Sequence, residues 1–262
     1  MKTALLVSTY NWPEALQLVF KSIEKQSLLP DEILVADDGS TEDTKYIIEQ
    51  FQKRNPVALK HFWHKDNGFK KSEIINKAIA NTDADYIVQI DGDCIMHQDF
   101  IKDHTQMAEK EVFIFGSRVN ITEKIKKEIF REQKIEFSFF SPGIKKRGRT
   151  LRIPILRNQF EAKPEFSNKV RGCNLSFWRK DFIAVNGYNE NISGWGREDS
   201  ELVLRMLNSG IKGKRLKFGG IIYHIYHPEA SKDNLEVNNK IQQSTLNDKK
   251  LTCENGINKY LK

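Results

Sequence analysis

The sequence predicts an α/β fold in which helices cover both faces of a mostly parallel sheet. Short apolar segments rich in β-branched residues alternate with helical patterns over residues 1–120. The predicted strands, such as ALLVS and DYIVQI, are continuous apolar runs, which is typical of parallel strands buried on both faces. A chain of 262 residues is also long enough to bury one sizeable core.

The first half alternates with few interruptions. We predict strands in ALLVS, EILVA, VALKHFW, DYIVQI and VFIFGSRV, and helices from about Pro13 to Lys25 and in TEDTKYIIEQFQKR, SEIINKAIAN and DFIKDHTQMAEK. Pro13 suits a first helical turn because its missing N–H would have no intrahelical partner there. Ser40 and Asp43 resemble a capping box for the second helix.

The second half begins near residue 121, where the pattern becomes helical, basic and less regular, so we predict a helical insert. Turns at SPG and RIP follow, then a strand in RGCNLSFW, a short helix in KDFIAVNG, a helix in GWGREDSELVLRMLNSG and one or two strands in LKFGGIIYHIYH. We expect the polar, weakly helical tail from Ser231 to pack on the surface. The sequence thus predicts a single compact domain with two halves, 1–120 and 121–262.

Composition and cysteine usage favour a cytoplasmic protein. Hydrophobic residues make up 39%, and no run approaches the roughly 20 apolar residues of a membrane span. The apolar run after Lys2 is too short for a signal peptide. Three widely spaced cysteines form neither a disulfide framework nor a metal motif, which indicates a reducing compartment.

Positive charge is concentrated in the middle of the chain. The net charge is +7, and residues 121–180 hold 16 Lys and Arg against 6 Asp and Glu. This indicates an anionic partner, namely nucleic acid, a phosphorylated saccharide or an anionic membrane surface. A solvated helix explains KIKKEIFREQKIE equally well, but it explains KKRGR (145–149) less well because glycine-spaced charges gain no helical pairing.

Polar residues gather where the predicted strands end, at STYN, DDGS, DGD and GSR. Ligands of parallel sheets bind at this edge. A dinucleotide fingerprint is absent, since no glycine precedes Gly39, and no GxxxxGK[ST] loop occurs. These absences exclude two common nucleotide sites.

Two carboxylates and two histidines form a candidate metal site. Asp91 and Asp93 follow an apolar strand, and paired carboxylates at a strand end suit a hard divalent cation bridging to phosphate oxygens. His224 and His227 could both reach a metal if the backbone turns between them. Imidazole ligands favour Mn²⁺ over Ca²⁺.

The motifs STYN, ADDGS, IDGD and GWGREDSE, in this order, resemble the nucleotide-sugar glycosyltransferases of family 2, which have the Rossmann-like GT-A fold. The stretch from RGCNLSFW through GWGREDSE to HIYHP resembles β-1,4-galactosyltransferases and bacterial chondroitin-type polymerases. Together the motifs span residues 3 to about 240. The resemblance implies a UDP-sugar donor, Mn²⁺ (or Mg²⁺), a glycan acceptor and no nucleic acid partner.

The resemblance also assigns residues to the donor and metal sites. It implies uracil and ribose contacts from Ser8, Tyr10 and Asp38, and a donor lining from Asn67, Gly68 and Lys71. Asp91 would contact the sugar or ribose. Asp93 would bind the metal with His227, and with His224 as a less certain third ligand.

For GWGREDSE the resemblance implies an inverting transfer with Asp199 as general base and Glu198 binding a hydroxyl of the acceptor or donor. The alternative explanation is that the acids only stabilise the first turn of a helix through its dipole. Trp195 offers a flat face to a sugar ring, and Glu201 is expected to cap or pair on the helix. Candidates for sugar selectivity are Arg171, Asn174 and Trp195.

Two other functions fit parts of the sequence. A metal-dependent hydrolase of nucleotide-diphosphate sugars could use the same carboxylates and histidines. A nucleic-acid binder could use the basic segment 121–180 and its phenylalanines, although the spacing of Ile129, Phe130, Phe137 and Phe140 suits a buried helix face equally well. In a glycosyltransferase that segment would meet the acceptor, so we expect an acidic or lipid-linked glycan, such as lipopolysaccharide or capsule, and at most peripheral contact with the inner membrane face.

Overall fold

The computed structural model describes residues 1–228 and 231–261; Glu229, Ala230 and Lys262 of the predicted second half lie outside the described residues. The first half forms β1 (Thr3–Thr9), α1 (Pro13–Glu24), β2 (Glu32–Asp37), α2 (Glu42–Arg54), β3 (Ala58–Trp63), α3 (Lys71–Ala80), β4 (Tyr86–Asp91), β5 (Cys94–Met96), α4 (Phe100–Gln106), β6 (Val112–Phe115) and β7 (Arg118–Ile121). The second half forms α5 (Glu123–Glu132), β8 (Ile144–Lys145), α6 (Pro154–Arg157), β9 (Ala162–Lys163), β10 (Leu175–Trp178), α7 (Arg179–Ala184), α8 (Glu198–Asn208), β11 (Lys212–Arg215), β12 (Ile222–His224) and α9 (Leu235–Asn247). Short 3₁₀ turns occur at Arg147–Thr150, Gly172–Asn174 and Ile257–Tyr260.

The main sheet has eight strands in the order β3-β2-β1-β4-β10-β6-β11-β9. The pairs β3–β2, β2–β1, β1–β4 and β6–β11 are parallel, whereas β10 runs antiparallel to both β4 and β6. The carboxyl ends of β1, β4, β6 and β11 therefore meet at one edge. The predicted α/β fold with a mostly parallel sheet is confirmed, and strands from both halves share this sheet.

Alternation along the strands places one core on each face of the sheet. Leu6 packs with Ile75 and Phe177 on one face, while Leu5 and Val7 pack with α1 on the other. All three β1 residues are fully buried. Burial of this kind stabilises the folded state by about 1.5–3 kcal/mol for each large apolar side chain.

A second, four-stranded sheet has the order β5-β12-β7-β8. β12 runs antiparallel to β5, with His224 opposite Cys94, and parallel to β7. Since Cys94 directly follows Asp93, this register brings the end of β12 beside the carboxylate pair. No helix in the described ranges combines the length and hydropathy that a bilayer crossing requires.

Two predictions for the first half are wrong. VFIFGSRV is not one strand, because the chain leaves the main sheet at Gly116 and resumes as β7 in the second sheet. A Cβ at Gly116 would lie 2.3 Å from the Asn174 side-chain oxygen, so this bend requires glycine. Ser40 is not in a capping box: α2 begins after Thr41, and the Ser40 hydroxyl accepts from the Asn11 N–H at 2.9 Å.

The second half is less helical than predicted. The insert holds α5 and then mostly irregular chain, so Phe137 and Phe140 do not continue a helix face; Phe140 is 87% exposed. The tail packs α9 against α8 as expected. Beyond it, however, Ile257 is fully buried in the main core, so the end of the tail is not a surface segment.

Candidate active site

One cavity of about 1050 Å³ opens at the carboxyl edge of the main sheet. It draws its walls from both halves of the chain. The predicted residues that line it are Ser8, Tyr10, Asp38, Gly68, Lys71, Asp91, Asp93, Arg171, Trp195, Glu198, Asp199 and His227. The structure therefore brings together motifs that are up to about 220 positions apart in the sequence.

The residues predicted to hold the nucleotide follow β1 and β2. The Tyr10 ring is half exposed, and its hydroxyl donates to Asp66 at 2.8 Å. Asp38 is buried and accepts the Lys70 N–H at 2.9 Å; burial raises the pKa of its carboxyl, against the hydrogen bond from His64. Asn67 is exposed and, unlike Gly68, does not line the cavity.

Lys71 links the donor side of the cavity to the acidic motif. Its ammonium group lies 2.6 Å from Asp91 Oδ1, which also accepts from the Ser8 hydroxyl at 2.8 Å. Burial opposes the charge on Lys71, but Asp91, Asp199 and Glu198 outweigh it and raise its pKa. A positive charge therefore lies between Asp91 on one side and Glu198 and Asp199 on the other.

Asp93, His224 and His227 form a three-residue cluster whose candidate ligand atoms all lie within 4.8 Å of one another. Asp93 Oδ2 is 3.4 Å from His224 Nε2 and 3.3 Å from His227 Nε2. Burial lowers the pKa of His224, which favours the neutral imidazole that metal coordination needs, whereas the hydrogen bond with Asp93 raises the pKa of His227. One carboxylate and two imidazoles suit Mn²⁺, so the residues fit the predicted metal.

Asp199 is held by donors on two sides. Its Oδ2 accepts the Gly172 N–H at 2.7 Å, and its Oδ1 accepts the Tyr188 hydroxyl at 3.0 Å. A carboxylate has about four lone-pair sites, so acceptor capacity remains for a substrate hydroxyl. Gly172 must stay small, because a Cβ there would lie 2.1 Å from Asp199 Oδ1.

Glu198 is the neighbouring acid at the start of α8. It is 7% exposed, and its Oε2 atom is buried without a hydrogen-bond partner among the described residues. Burial, reinforced by the charge of Asp199, raises the pKa of its carboxyl to about 7, with Lys71 acting in the opposite direction. Near neutral pH this group can therefore donate or accept a hydrogen bond.

The turn before α8 presents Trp195 to the cavity. Gly194, Gly196 and Arg197 have φ values of 70°, 101° and 83°. Glycine adopts this left-handed conformation without steric strain at the first two of these positions. Asn238 of α9 fixes the turn by donating to the carbonyl of Gly196 at 3.0 Å and to that of Ser193. Trp195 remains 41% exposed, and Lys232 Nζ lies over its ring, 5.9 Å from the centroid.

The other two charged residues of the motif have structural partners. Glu201 pairs with Arg205 at 2.7 Å, and both side chains are fully buried, which confirms the expected pairing on the helix. Arg197 donates to Asn239 Oδ1 at 2.5 Å instead of pairing with a neighbouring acid.

Sequence reasoning missed a hydrogen-bond chain behind Asp199. Gln89 donates to the Tyr188 hydroxyl at 2.8 Å, and the backbone N–H of Tyr188 donates to Asn76 Oδ1 at 2.9 Å. All three side chains are fully buried. Gln89 carried a usable signal, because it is the one polar residue inside the apolar strand YIVQI.

Asn174 was predicted to contact sugar, and the structure does not place it there. It is 1% exposed, its amide nitrogen donates to the carbonyls of Ser117 and Gly220, and its Oδ1 accepts from His104 Nε2 at 3.0 Å. Its role is to join the strand β10 region to the bend after β6. Arg171 does line the cavity, with its guanidinium bonded to carbonyls of its own loop.

Known structures define the class of the fold. Residues 1–349 of TarS from S. aureus, in complex with UDP, superpose with a TM-score of 0.62 at 15% identity, covering 92% of this chain and 64% of that one. A mannosyltransferase from Pyrobaculum calidifontis, in complex with GDP-Man and Mn²⁺, gives a TM-score of 0.58 at 16% identity, covering 85% and 56%. The fold is the GT-A fold of glycosyltransferases, as predicted.

The chain belongs to glycosyl transferase family 2, whose profile matches residues 4–175. The profile of the N-terminal domain of galactosyltransferase matches residues 156–228. Both parts of the predicted resemblance are therefore confirmed.

Similar curated proteins include hyaluronan synthase of Pasteurella multocida, 27% identical over 84% of this chain and 24% of that protein. Chondroitin synthase of Escherichia coli is 23% identical over 84% of this chain and 34% of that protein. The chain thus spans about a quarter to a third of the length of these relatives.

Proposed function

We propose that this chain is an inverting, metal-dependent glycosyltransferase that moves a sugar from a UDP-sugar to a hydroxyl of a glycan acceptor. The observation that carries the proposal is the cavity whose lining joins Asp93 and His227 of the metal cluster to Lys71 and the Glu198–Asp199 pair. Family 2 membership supports glycosyl transfer, and the UDP bound to TarS supports the donor. This activity is proposed for the present chain alone, and not for the full length of its longer relatives.

The acceptor hydroxyl is activated by Asp199. As its oxygen forms the bond to the anomeric carbon, its proton passes to the Asp199 carboxylate, and UDP leaves from the opposite face with inversion. Gly172 and Tyr188 hold this carboxylate in one orientation, which lowers the entropy cost of reaching the reactive geometry. Glu198, near its protonation midpoint, binds a sugar hydroxyl beside it.

The leaving side of the cavity supplies positive charge. Asp93, His227 and His224 would hold Mn²⁺ (or Mg²⁺), which would neutralise charge on a departing diphosphate. Lys71 adds a fixed cation beside Asp91. Ser8, Tyr10 and Asp38 lie further along the same edge, where uracil and ribose would bind.

The acceptor is a glycan of the bacterial surface-polysaccharide kind, such as lipopolysaccharide or capsule, in line with the polysaccharide synthases among the relatives. Three unpaired, buried cysteines support a reducing, cytoplasmic setting, with at most peripheral contact with the inner membrane face. An acidic or lipid-linked acceptor would suit the charge of segment 121–180.

The replacement Asp199→Asn tests the proposal. It should lower sugar transfer at least a thousandfold, because the amide cannot accept the acceptor proton, while the Kd of UDP with Mn²⁺ changes less than threefold. Glu236→Gln, on the exposed face of α9, is the control and should leave both unchanged. Equal losses of transfer and UDP affinity would remove Asp199 from the role of base. Rapid release of UDP from the wild type without acceptor would favour the hydrolase instead.

A further inference from the structure

Five cations gather at the acceptor side of the cavity. They come from the start of β7, the turn after β8, the loop before β10 and the end of β11: Arg118, Lys146, Arg149, Arg171 and Arg215. We call them the cationic cluster. Within residues 1–228 and 231–261, no member forms an ion pair with an acid. Two of them, Arg118 and Arg171, line the cavity itself.

The four segments are tied together at the bend after β6. Arg149 Nη1 donates to the Arg118 carbonyl at 2.9 Å, and Arg215 Nη2 lies 3.4 Å from the Ser117 hydroxyl. The loop that carries Arg171 is joined to the same bend, since Gly116 N–H donates to the Asn174 carbonyl at 2.9 Å. The cluster is therefore fixed by the fold.

Lys146 and Arg149 are repelled by neighbouring cations in the absence of a ligand. Arg118 differs, because burial opposes its charge but Cys173, Cys94 and Asp93 raise its pKa. Burial, and then the charges of Arg149, Arg118 and Arg171, lower the pKa of Lys146. Burial, and then Arg215 and Arg118, lower the pKa of Arg149. The Arg215 Nε–H is also buried without a partner among the described residues. An arrangement of unpaired cations with a free buried donor gains stability when an anion binds.

The position of the cluster separates it from the nucleotide. In the main sheet the nucleotide residues follow β1 and β2 and the candidate metal ligand Asp93 follows β4, whereas Arg118 lies just beyond the end of β6 and Arg215 lies at the end of β11. β6 and β11 lie two and three strands beyond β4, or roughly 10 and 14 Å at the usual strand spacing. Arg171 directly precedes Gly172, whose N–H binds Asp199, so the cluster adjoins the carboxylate that would activate the acceptor.

We propose that the cationic cluster binds a phosphate or carboxylate group of the acceptor, so that the enzyme selects an anionic glycan. This inference rests on the proposed function and adds the chemical class of its acceptor. The planar guanidinium forks of the arginines match both anions. Only Lys146, Arg149 and Arg171 belong to the basic segment of the sequence; Arg118 and Arg215 join them through the fold.

The test measures binding to the protein saturated with UDP and Mn²⁺, by calorimetry. The probes are a hyaluronan tetrasaccharide for carboxylate, a glycerol phosphate tetramer for phosphate and chitotetraose as the neutral control. At least one anionic probe should bind tenfold or more tightly than chitotetraose, and which one does so identifies the group. The double variant Lys146→Ala/Arg149→Ala should weaken the binding of that anionic probe at least tenfold and leave the Kd of UDP unchanged.

The matched control is Lys124→Ala/Lys127→Ala, which removes two exposed charges of the same basic segment from α5. It should leave all affinities within twofold. Equal binding of charged and neutral probes would overturn the inference while leaving the proposed function intact. An equal loss of UDP affinity in the Lys146/Arg149 variant would reassign the cluster to the donor. Absence of any UDP binding by the wild type would instead defeat the proposed function.

A membrane surface is a different source of anions. Cosedimentation with phosphatidylglycerol vesicles, abolished by Lys146→Ala/Arg149→Ala with oligosaccharide affinities unchanged, would overturn the inference in favour of a lipid contact.

Discussion

Replacing Glu198 by Gln should make the protein more stable and less active. In the ligand-free fold the Glu198 carboxyl is almost fully buried with one oxygen unpaired, and its pKa rises from the ordinary 4.5 to about 7. Because the folded state holds this proton more tightly than the unfolded state, the contribution to stability is present at low pH. It is lost as the pH rises from about 4.5 through about 7.

The difference between a pKa of 4.5 and one of about 7 corresponds to about 3 kcal/mol at pH 8. At pH 5 the same linkage leaves less than about 1 kcal/mol. Glutamine has the shape of the protonated acid and no charge to bury. Glu198→Gln should therefore gain about 3 kcal/mol at pH 8, or roughly 5–10 °C in Tm for a chain of this size, and far less at pH 5.

The assay is chemical denaturation at pH 5, 6, 7 and 8 in EDTA without nucleotide, alongside sugar transfer with Mn²⁺. Glu236→Gln, whose side chain is 82% exposed, is the control and should leave the pH dependence of unfolding unchanged. We expect transfer by Glu198→Gln to fall at least tenfold, since an amide replaces a group that binds a hydroxyl. A variant with wild-type stability at pH 8, or with the wild-type pH dependence, would refute the reasoning.

Three further replacements probe the cavity. Tyr188→Phe removes a hydrogen bond to Asp199, and should lower kcat about tenfold with the Kd of UDP unchanged; a matching loss of UDP affinity would contradict this. Gly172→Ala should lower transfer at least a hundredfold, because its Cβ would displace Asp199, and wild-type turnover would show that this contact is dispensable. Asp93→Ala should weaken UDP binding at least tenfold in Mn²⁺ but not in EDTA, measured by calorimetry. A variant that still responded to Mn²⁺ would place the metal elsewhere.

Local patterns were sufficient to predict most of the strands and helices of the first half. β1 and β4 read as buried strands because they are covered on both faces, and α1 carries its proline in the first turn. β5 was missed because only three residues separate the carboxylate pair from the next turn. The break at Gly116 could not be predicted either, since its cause is the Asn174 side chain, 58 positions away in the sequence.

The features of the site likewise divide into those that the sequence predicted and those that depend on the tertiary structure. Asp93, His224 and His227 were predicted together because their residue types indicate a metal ligand set, although the register of β12 against β5 that joins them is tertiary. The high pKa of Glu198 depends on burial that no spacing reveals. Asn174 resembles a ligand residue in sequence, but its amide serves the packing of the sheet.

The cationic cluster illustrates the remaining gap. The sequence placed the positive charge in segment 121–180, yet much of that segment is scattered over exposed surface. Arg118 and Arg215 reach the cluster from β7 and β11, which belong to different sheets and come together only in the folded chain. Charge totals therefore indicated an anionic partner, and only the fold indicates where it would bind.

The most direct test of the central claim is the thermal stability of the wild type with UDP, GDP or ADP, each with and without Mn²⁺. A ligand at a hundredfold excess over its Kd stabilises the native state by about 2.7 kcal/mol. We predict that UDP raises Tm by several degrees, that the increase requires Mn²⁺, and that GDP and ADP do little. A shift with GDP in place of UDP would contradict the donor, and no shift with any of the three would contradict the nucleotide-sugar site itself.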